Sequence, residues 1–420
     1  AELIVFFHSI AITTAYATLM WLGHRLTGNW RTAALSTLFA AALGINDFNV
    51  RPQAIAFPIA AIFLLAMVQY DQTHRRRWLA VFPVGMLLWV NCHGTFPLGL
   101  LLIGLWLVDS FWRDFVADGR SVRGAVEIAM APGVALVTAA LASLLNPRGI
   151  STFSYVSGMS SNLTIQNMVP EWAPPTFATL TGKLFLIGLL SVAALLALSP
   201  KRPSPFQLLS FVAFAGLGLR TVRGAIWFGI IMGPVLADHL AALTRQTRAW
   251  LYRRFGTLPR SSSQGNPILN LSLIALLCLG ALISLPWLKQ LLPLPPRKAG
   301  VISAETPIAA TEYLLEAKLP GPVFHAMSFG SYLIWRAQPD YPVFVDSRIE
   351  LYSPEVWHDY IGISAAAERW EDRLREYGVQ ALMLSREEQP ALVAAAEESA
   401  RWQKVYTDEA AVLLTAVASE

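Results

Sequence analysis

The sequence predicts a polytopic α-helical membrane bundle of about ten spans, followed by a C-terminal extracytoplasmic α/β domain. Three observations predict it: long apolar blocks broken by short polar turns, cations gathered in alternate turns, and a change of texture after residue 290. Hydrophobic residues make up 55% of the 420 and charged residues 14%, against roughly 25% charged in soluble domains.

Ten apolar blocks stand near 3–22, 33–46, 54–70, 78–91, 96–112, 125–145, 183–199, 206–219, 224–241 and 267–288. A spanning helix takes about 20 residues, so the shorter blocks are expected to be broken or re-entrant. One set of turns holds Arg25 and Arg31; Arg75, Arg76 and Arg77; Arg113, Arg120 and Arg123; Lys201 and Arg202; and Arg245, Arg248, Arg253, Arg254 and Arg260. The other set holds only Arg51, Arg148, Lys183, Arg220, Arg223 and Lys289. Cationic loops stay in the cytoplasm, which places the second set, and everything after residue 290, outside. The net charge of +4 then follows from topology, and no nucleic-acid partner is expected. Cys92 and Cys278 make neither a disulfide framework nor a structural zinc site.

The domains expected are a transmembrane unit over 1–290, a proline-rich linker over 291–305 ("LLPLPPRK" lies at its start), and an extracytoplasmic α/β domain over 306–420. In the last, Thr306-Pro307 reads as an N-cap and first-turn pair for the helix "IAATEYLLEAK". The short apolar runs "GPVFHA", "YPVFVDS", "VQALMLS" and "AVLLTAV" alternate with amphipathic stretches such as "AAAERWEDRLREYG". That alternation predicts a largely parallel sheet. The chain opens without methionine, and no basic segment precedes its first block. With the N-terminus placed outside by the span count, an earlier span and outward loop are expected before residue 1.

The outward turns collect unusual polar groups: Asp47 and Arg51 in "NDFNVRPQ", Asn91 and His93 in "NCHGT", Asn146 and Arg148 in "NPRG", Glu171 and Trp172 in "VPEWAPP", and Arg220 and Arg223 in "LRTVRG". Polar backbone at membrane depth is tolerated where it lines a cavity or is buried in protein, and ionisable groups there suggest function. Each has two readings. Arg220 and Arg223 either snorkel to headgroups or bind a lipid phosphate with guanidinium forks. Arg51, before Pro52, is a span anchor or a phosphate ligand, and Arg148 sits in a turn that stands on its own. His93 is a helix-packing histidine or a member of an outward cavity, with Gly94 lending its turn backbone freedom. Trp172 is an interfacial anchor or a sugar platform.

On "NVRPQAIAFP", "WVNCHGTFPLG", "NPRG", "PEWAPP" and "GSYLIWRAQPDYPVFVDSRIELY" the chain resembles the GT-C superfamily of membrane glycosyltransferases, which use polyprenyl-phosphate sugars. It looks most like uncharacterised bacterial members related to protein-mannosyltransferase and lipid A aminoarabinose transferase types. The resemblance implies sugar transfer from a polyprenyl-phosphate donor to an extracytoplasmic glycan, lipid or protein acceptor, at a bacterial inner membrane. From their outward placement Asp47, Glu171 and His93 are the catalytic candidates, the resemblance implying a supporting role for Asp47 and Glu171, and Arg51, Arg148, Arg220 and Arg223, which run against the charge bias, are the expected donor-phosphate ligands. Asn91, Trp172, Asp346 and Arg348 are the expected acceptor or sugar contacts. Asp346 and Arg348 follow "YPVFV", at the strand edge where α/β sheets place ligands, or form a local pair that only holds the loop. The family's principal carboxylate lies in a first outward loop, which the expected upstream segment would supply. A divalent metal is compatible with the family, but no ligand spacing here demands one. Two other readings remain: an O-antigen-ligase or polymerase-like enzyme with a pyrophosphate-linked donor, and a transporter or membrane-anchored binding protein.

Overall fold

The computed structural model describes residues 2–117, 122–162, 170–256, 266–289, 291–292 and 302–417. Arg120, Arg260, the middle of the long 146–182 loop and most of the proline-rich linker therefore lie outside the described residues. Contacts divide the chain into a helical unit, Glu2–Ser161 with Gln166–Gly280, and a second unit centred on Ala281–Glu420.

The helical unit contains α1 (Glu2–Thr27), α2 (Trp30–Leu43), α3 (Ala56–Thr73), α4 (Val81–Cys92), α5 (Pro97–Trp112), α6 (Val122–Ala142), α7 (Ser151–Ser161), α8 (Leu180–Leu198), α9 (Pro205–Arg220) and α10 (Gly224–Phe255), with α11 (Pro267–Ile283) after them. Among the described residues five segments are long and apolar enough to cross a membrane: Glu2–Thr27, Pro52–Thr73, Gly124–Ala142, Leu180–Leu198 and Gly224–Phe255. This corrects the expectation of ten. Pro97–Trp112, Pro205–Arg220 and Pro267–Ile283 are apolar but shorter. At 1.5 Å per residue α2 and α4 reach only about 18–21 Å, against a hydrocarbon core of about 30 Å. The polar punctuation is the reason: α2 stops at Gly44 and α4 stops before His93.

The first half of α10 is buried on all sides, without a break from Gly224 to Val235. An all-round apolar helix belongs at the centre of a bundle. Its closest neighbour is α2, and small residues make that approach possible. A Cβ on Gly229 would stand 2.9 Å from the Ala40 carbonyl oxygen, and one on Gly233 would stand 3.4 Å from the Ala40 Cβ. Small residues four apart let membrane helices pack backbone to backbone. Aromatic rings fill the space on another side of α10: Trp227 stacks on Trp89 at 5.6 Å and meets Phe57 edge-on at 5.4 Å.

The second unit contains a four-stranded sheet of β1 (Val323–His325), β2 (Ala381–Ser385), β3 (Trp402–Thr407) and β4 (Ala411–Ala416), in the order β1-β2-β4-β3. Only β1 and β2 are parallel; β4 pairs antiparallel with β2 and β3. The expected largely parallel sheet is thus corrected to a mixed one. Two connections cause the difference. "YPVFVDS" forms no strand, and "WQKVYT" forms β3, returning to β4 through a turn in which Asp408 accepts from the amides of Ala410 and Ala411 at 2.8 Å. Helices α12 (Ile308–Glu316), α13 (Met327–Arg336), α14 (Pro354–Ser364), α15 (Trp370–Glu376) and α16 (Pro390–Glu398) complete the unit. Helix α12 starts one residue later than the Thr306-Pro307 signal predicts. Pro307 stands at its N-cap without a side-chain cap bond.

His325, fully buried at the end of β1, joins the sheet to the segment that did not become a strand. Its Nδ1–H donates to the Ala326 carbonyl at 2.8 Å, and its Nε2 accepts from the Phe344 amide at 2.9 Å. Burial holds this imidazole neutral and pulls its pKa down to about 4. A depressed histidine contributes stability above the unfolded value near 6.5 that is lost as pH falls toward 4. His325→Leu leaves the Phe344 amide unsatisfied in the interior and is expected to cost about 1–3 kcal/mol. Hydrogen exchange in the full chain checks this: protection of 323–345 falls selectively, and its loss below pH 6 is abolished in the variant.

Candidate functional site

Two loops and one helix start meet at one end of the helical unit. The first loop leaves α2 at Gly44, where a Cβ would stand 2.5 Å from the Tyr16 hydroxyl. A side chain there would have to displace the Tyr16 hydroxyl and crowd Ile226. A single 3₁₀ turn, Ile45–Phe48, follows, and the Asp47 amide donates to the Gly44 carbonyl at 2.9 Å. Arg51 is extended because Pro52 follows it. That conformation directs it away from α3 and into the site.

The second loop holds Glu171 and Trp172 in a 3₁₀ turn. Two backbone bonds clamp this loop to the turn before α10: Val222 N–H to the Ala173 carbonyl at 3.0 Å, and Arg223 N–H to the Glu171 carbonyl at 3.3 Å. One Glu171 oxygen then accepts from Arg51 Nη1 at 2.5 Å and from Arg223 Nε at 3.0 Å. The Arg223 guanidinium also lies 5.3 Å from the Trp172 ring centroid. Burial opposes ionisation of Glu171, but the bonds and charges of both arginines outweigh it. The carboxyl titrates below its ordinary value.

Asp47, 8% exposed, sits in the field of the same groups and receives no side-chain hydrogen bond among the described residues. Burial and the Glu171 charge push it up to about 7, against the pull of Arg51 and Arg223. Two neighbouring carboxyls are thereby driven apart in acidity, one held as an anion and the other poised near neutrality. Such a division commonly separates acid–base roles.

The turn after Gly218 sets where Arg223 stands. A Cβ on Gly224 would meet the backbone of Leu217 and Gly218 at 2.5 Å. Gly224→Ala therefore forces the turn open. It is expected to cost about 1–3 kcal/mol and to displace Arg223 from Glu171. Thermal unfolding of the purified variant checks the first effect, and accessibility of Glu171 to carbodiimide labelling the second.

His93 caps α4 beside this cluster. Its Nδ1 accepts from the Thr95 amide at 3.2 Å and contacts the Thr95 hydroxyl at 2.9 Å; that hydroxyl accepts in turn from Trp89 Nε1 at 3.1 Å. This bonding requires an unprotonated Nδ1. Burial first, and then the positive charge of Arg223, lower the pKa to about 4. Gly94 does not use the left-handed backbone region, which corrects the expected reason for a glycine there. Its hydrogen instead leaves room for Val156, whose Cγ2 would stand 3.3 Å from a Cβ. Pro97 opens α5, in the first helical turn where proline is well placed.

The Asn91 amide donates to the Leu87 and Leu145 carbonyls, both at 2.9 Å, and so ties the end of α4 to the end of α6. Arg148 lies over the Tyr155 ring at 4.2 Å, in a turn held by Asn146. Arg220 is exposed at the end of α9, where a cation suits the helix dipole. In the second unit Asp346, 1% exposed, accepts from the Arg348 backbone amide at 2.7 Å, from its guanidinium at 2.6 Å, and from the Tyr352 hydroxyl at 2.8 Å. That carboxylate holds its own loop.

One residue escaped sequence reading. Tyr16 on α1 meets Phe48 edge-on at 5.8 Å, and its buried hydroxyl lacks a hydrogen-bond partner among the described residues. A tyrosine in an apolar block carries no signal that separates it from a packing residue.

Among the described residues no group of three or more His, Cys, Asp or Glu is placed to hold a metal. Fold and site together define a helical protein with spanning-length segments and an arginine–carboxylate cluster at one end. No family model and no curated protein matches the chain. Among solved structures, the crystal structure of the Archaeoglobus fulgidus oligosaccharyltransferase in the apo form is similar, with a TM-score of 0.46 and 12% identity. The match covers 92% of this chain and 59% of that one, so the chain spans about three-fifths of that protein's length.

Proposed function

We propose that the chain carries the transfer site of a GT-C-type glycosyltransferase, moving a sugar from a polyprenyl-phosphate donor to an extracytoplasmic acceptor. On this reading it sits in a bacterial inner membrane, with the second unit outside the cytoplasm. The observation that carries the reading is Glu171 held between Arg51 and Arg223 beside the buried, protonatable Asp47. Two guanidiniums around one carboxylate leave a surplus positive charge, which suits a phosphate monoanion.

The acceptor hydroxyl attacks the anomeric carbon while its proton passes to Asp47. The bond from that carbon to the phosphate oxygen breaks, and the electron pair leaves with the phosphate. Arg51 and Arg223 stabilise the developing negative charge. Arg148 and Arg220 are assigned to the lipid-phosphate approach, and Trp172, braced by Arg223, to a face of the sugar. His93 keeps a neutral ring whose Nε2–H is directed by the Nδ1 bonds. Asn91 holds the floor of this end of the unit. Arg348, set by Asp346, is the second unit's acceptor contact.

Membranes containing the full-length protein, supplied with radiolabelled polyprenyl-phosphate sugars, are expected to show transfer to an endogenous acceptor. Absence of transfer from every common monophosphate donor, with a folded sample, overturns the proposal. Transfer from pyrophosphate-linked donors alone places the protein with the ligases and polymerases.

A further inference from the structure

A second polar concentration lies at the other end of the helical unit. Asp71 stands twenty residues beyond Arg51, about 30 Å along the Pro52–Thr73 segment at helical rise. There a cleft of about 240 Å³ opens between α1, α3, α5, α9 and α10. Its walls are apolar, with Leu22, Leu64, Met67 and Ile231 among them. Its rim is charged, and its charges do not cancel locally. Asp71 and Asp109 share a single guanidinium, that of Arg113, at 2.9 and 3.0 Å. They also accept from Trp106 Nε1 at 3.1 Å and from the Phe206 amide at 2.9 Å. Lys201 is matched one-to-one with Asp238. Arg202 lines the same cleft, is exposed, and has no ion pair or hydrogen bond among the described residues. Arg25 turns its guanidinium to Gln72 and does not line the cleft.

The rim therefore carries one surplus negative charge, at Asp71 and Asp109, and one surplus positive charge, at Arg202, above an apolar pit. A ligand complementary to it has a phosphate, an ammonium and a hydrocarbon tail. We propose that this cleft binds the headgroup of a zwitterionic ethanolamine phospholipid, its phosphate on Arg202, its ammonium against Asp71 and Asp109, and part of an acyl chain on the apolar wall. A guanidinium is a good phosphate partner. The wall around it belongs to segments of spanning length, where lipid is the abundant neighbour. This proposal uses none of the residues of the transfer site and stands or falls apart from it.

Native mass spectrometry of the detergent-purified full chain tests it, with phosphatidylethanolamine, phosphatidylglycerol and diacylglycerol added at equal concentration. Phosphatidylethanolamine is expected to be retained about tenfold more than either of the others, the equivalent of one charge-assisted contact. Arg202→Gln, at an exposed and unpartnered position, leaves the fold intact and is expected to remove most of the advantage over diacylglycerol, since phosphatidylglycerol carries the same phosphate. Asp71→Asn is expected to reduce the preference for phosphatidylethanolamine over phosphatidylglycerol. Equal retention of the three lipids, or unchanged retention in Arg202→Gln, overturns the proposal. Displacement of the lipid by an equal concentration of free O-phosphoethanolamine overturns the lipid as occupant, because the acyl chain then contributes nothing.

Discussion

Asp47→Asn is expected to lower sugar transfer by about 10²–10⁴-fold, the usual contribution of a positioned general base, while making the protein more stable above pH 7. Both effects come from one feature. The carboxyl is buried, lacks a side-chain hydrogen bond among the described residues, and lies beside the Glu171 anion, which together push it up to about 7. A raised acid contributes stability below its unfolded value that is lost as pH rises through its folded value. From 3.8 to about 7, the cost of ionising it in the folded state accumulates to something on the order of 4 kcal/mol. Asparagine never ionises, so it escapes that cost. In detergent, the melting temperatures of variant and wild type should coincide near pH 4, diverge between pH 4 and 7 in favour of the variant, and run parallel above. Wild-type transfer should rise across the same window, because only the carboxylate accepts a proton. A variant that is less stable than wild type at pH 8, or that retains full transfer, removes Asp47 from the role of base.

Arg223→Ala is expected to reduce transfer by about 10²–10³-fold, the scale of losing one electrostatic stabiliser of a leaving group. Three contacts disappear together: the Nε bond to Glu171, the face of Trp172, and part of the field that keeps His93 neutral. Arg223→Lys should restore only a small part. An ammonium restores the charge but supplies neither the planar stack on Trp172 nor the fork geometry. Glu171, left with Arg51 alone, should titrate higher than in the wild type, moving upward the acid limb of the transfer profile. The KM for donor should rise more than that for acceptor if the arginine meets the phosphate. An effect confined to the acceptor would assign Arg223 to the other substrate. Arg148→Ala is the internal comparison, since its guanidinium lies on Tyr155, and a loss below tenfold is expected there.

Much of the architecture was legible because it rests on composition and local chemistry. Apolar blocks, their polar breaks, and the change of texture near residue 290 are one-dimensional signals. So are Pro97 at the start of α5 and the β1, β2 and β4 runs. The turns holding Asp47, Arg51, Glu171 and Arg223 stood out for the same reason: charged residues interrupting hydrocarbon are costly and therefore visible. Span number was not legible, since an apolar block of 12 or 14 residues looks like a broken span until helix ends are known. The mixed sheet was also hidden. "YPVFVDS" has strand composition, yet His325 takes the Phe344 amide that a ladder would have used.

The sequence by itself determined which residues are too polar for their surroundings, because that cost is paid residue by residue. Which of them act together was decided only by tertiary structure. Arg51 and Glu171 are 120 residues apart, and Glu171 and Arg223 are 52 apart, distances over which no periodicity or local propensity speaks. Two backbone bonds from the 171–173 loop to the turn before α10 bring them within hydrogen-bond reach. The same packing sends Arg148 to Tyr155 and Asn91 to Leu145. A charge pattern names candidates, but partnership among them is a matter of distance, and distance is set by how α2, α4 and α10 close on one another.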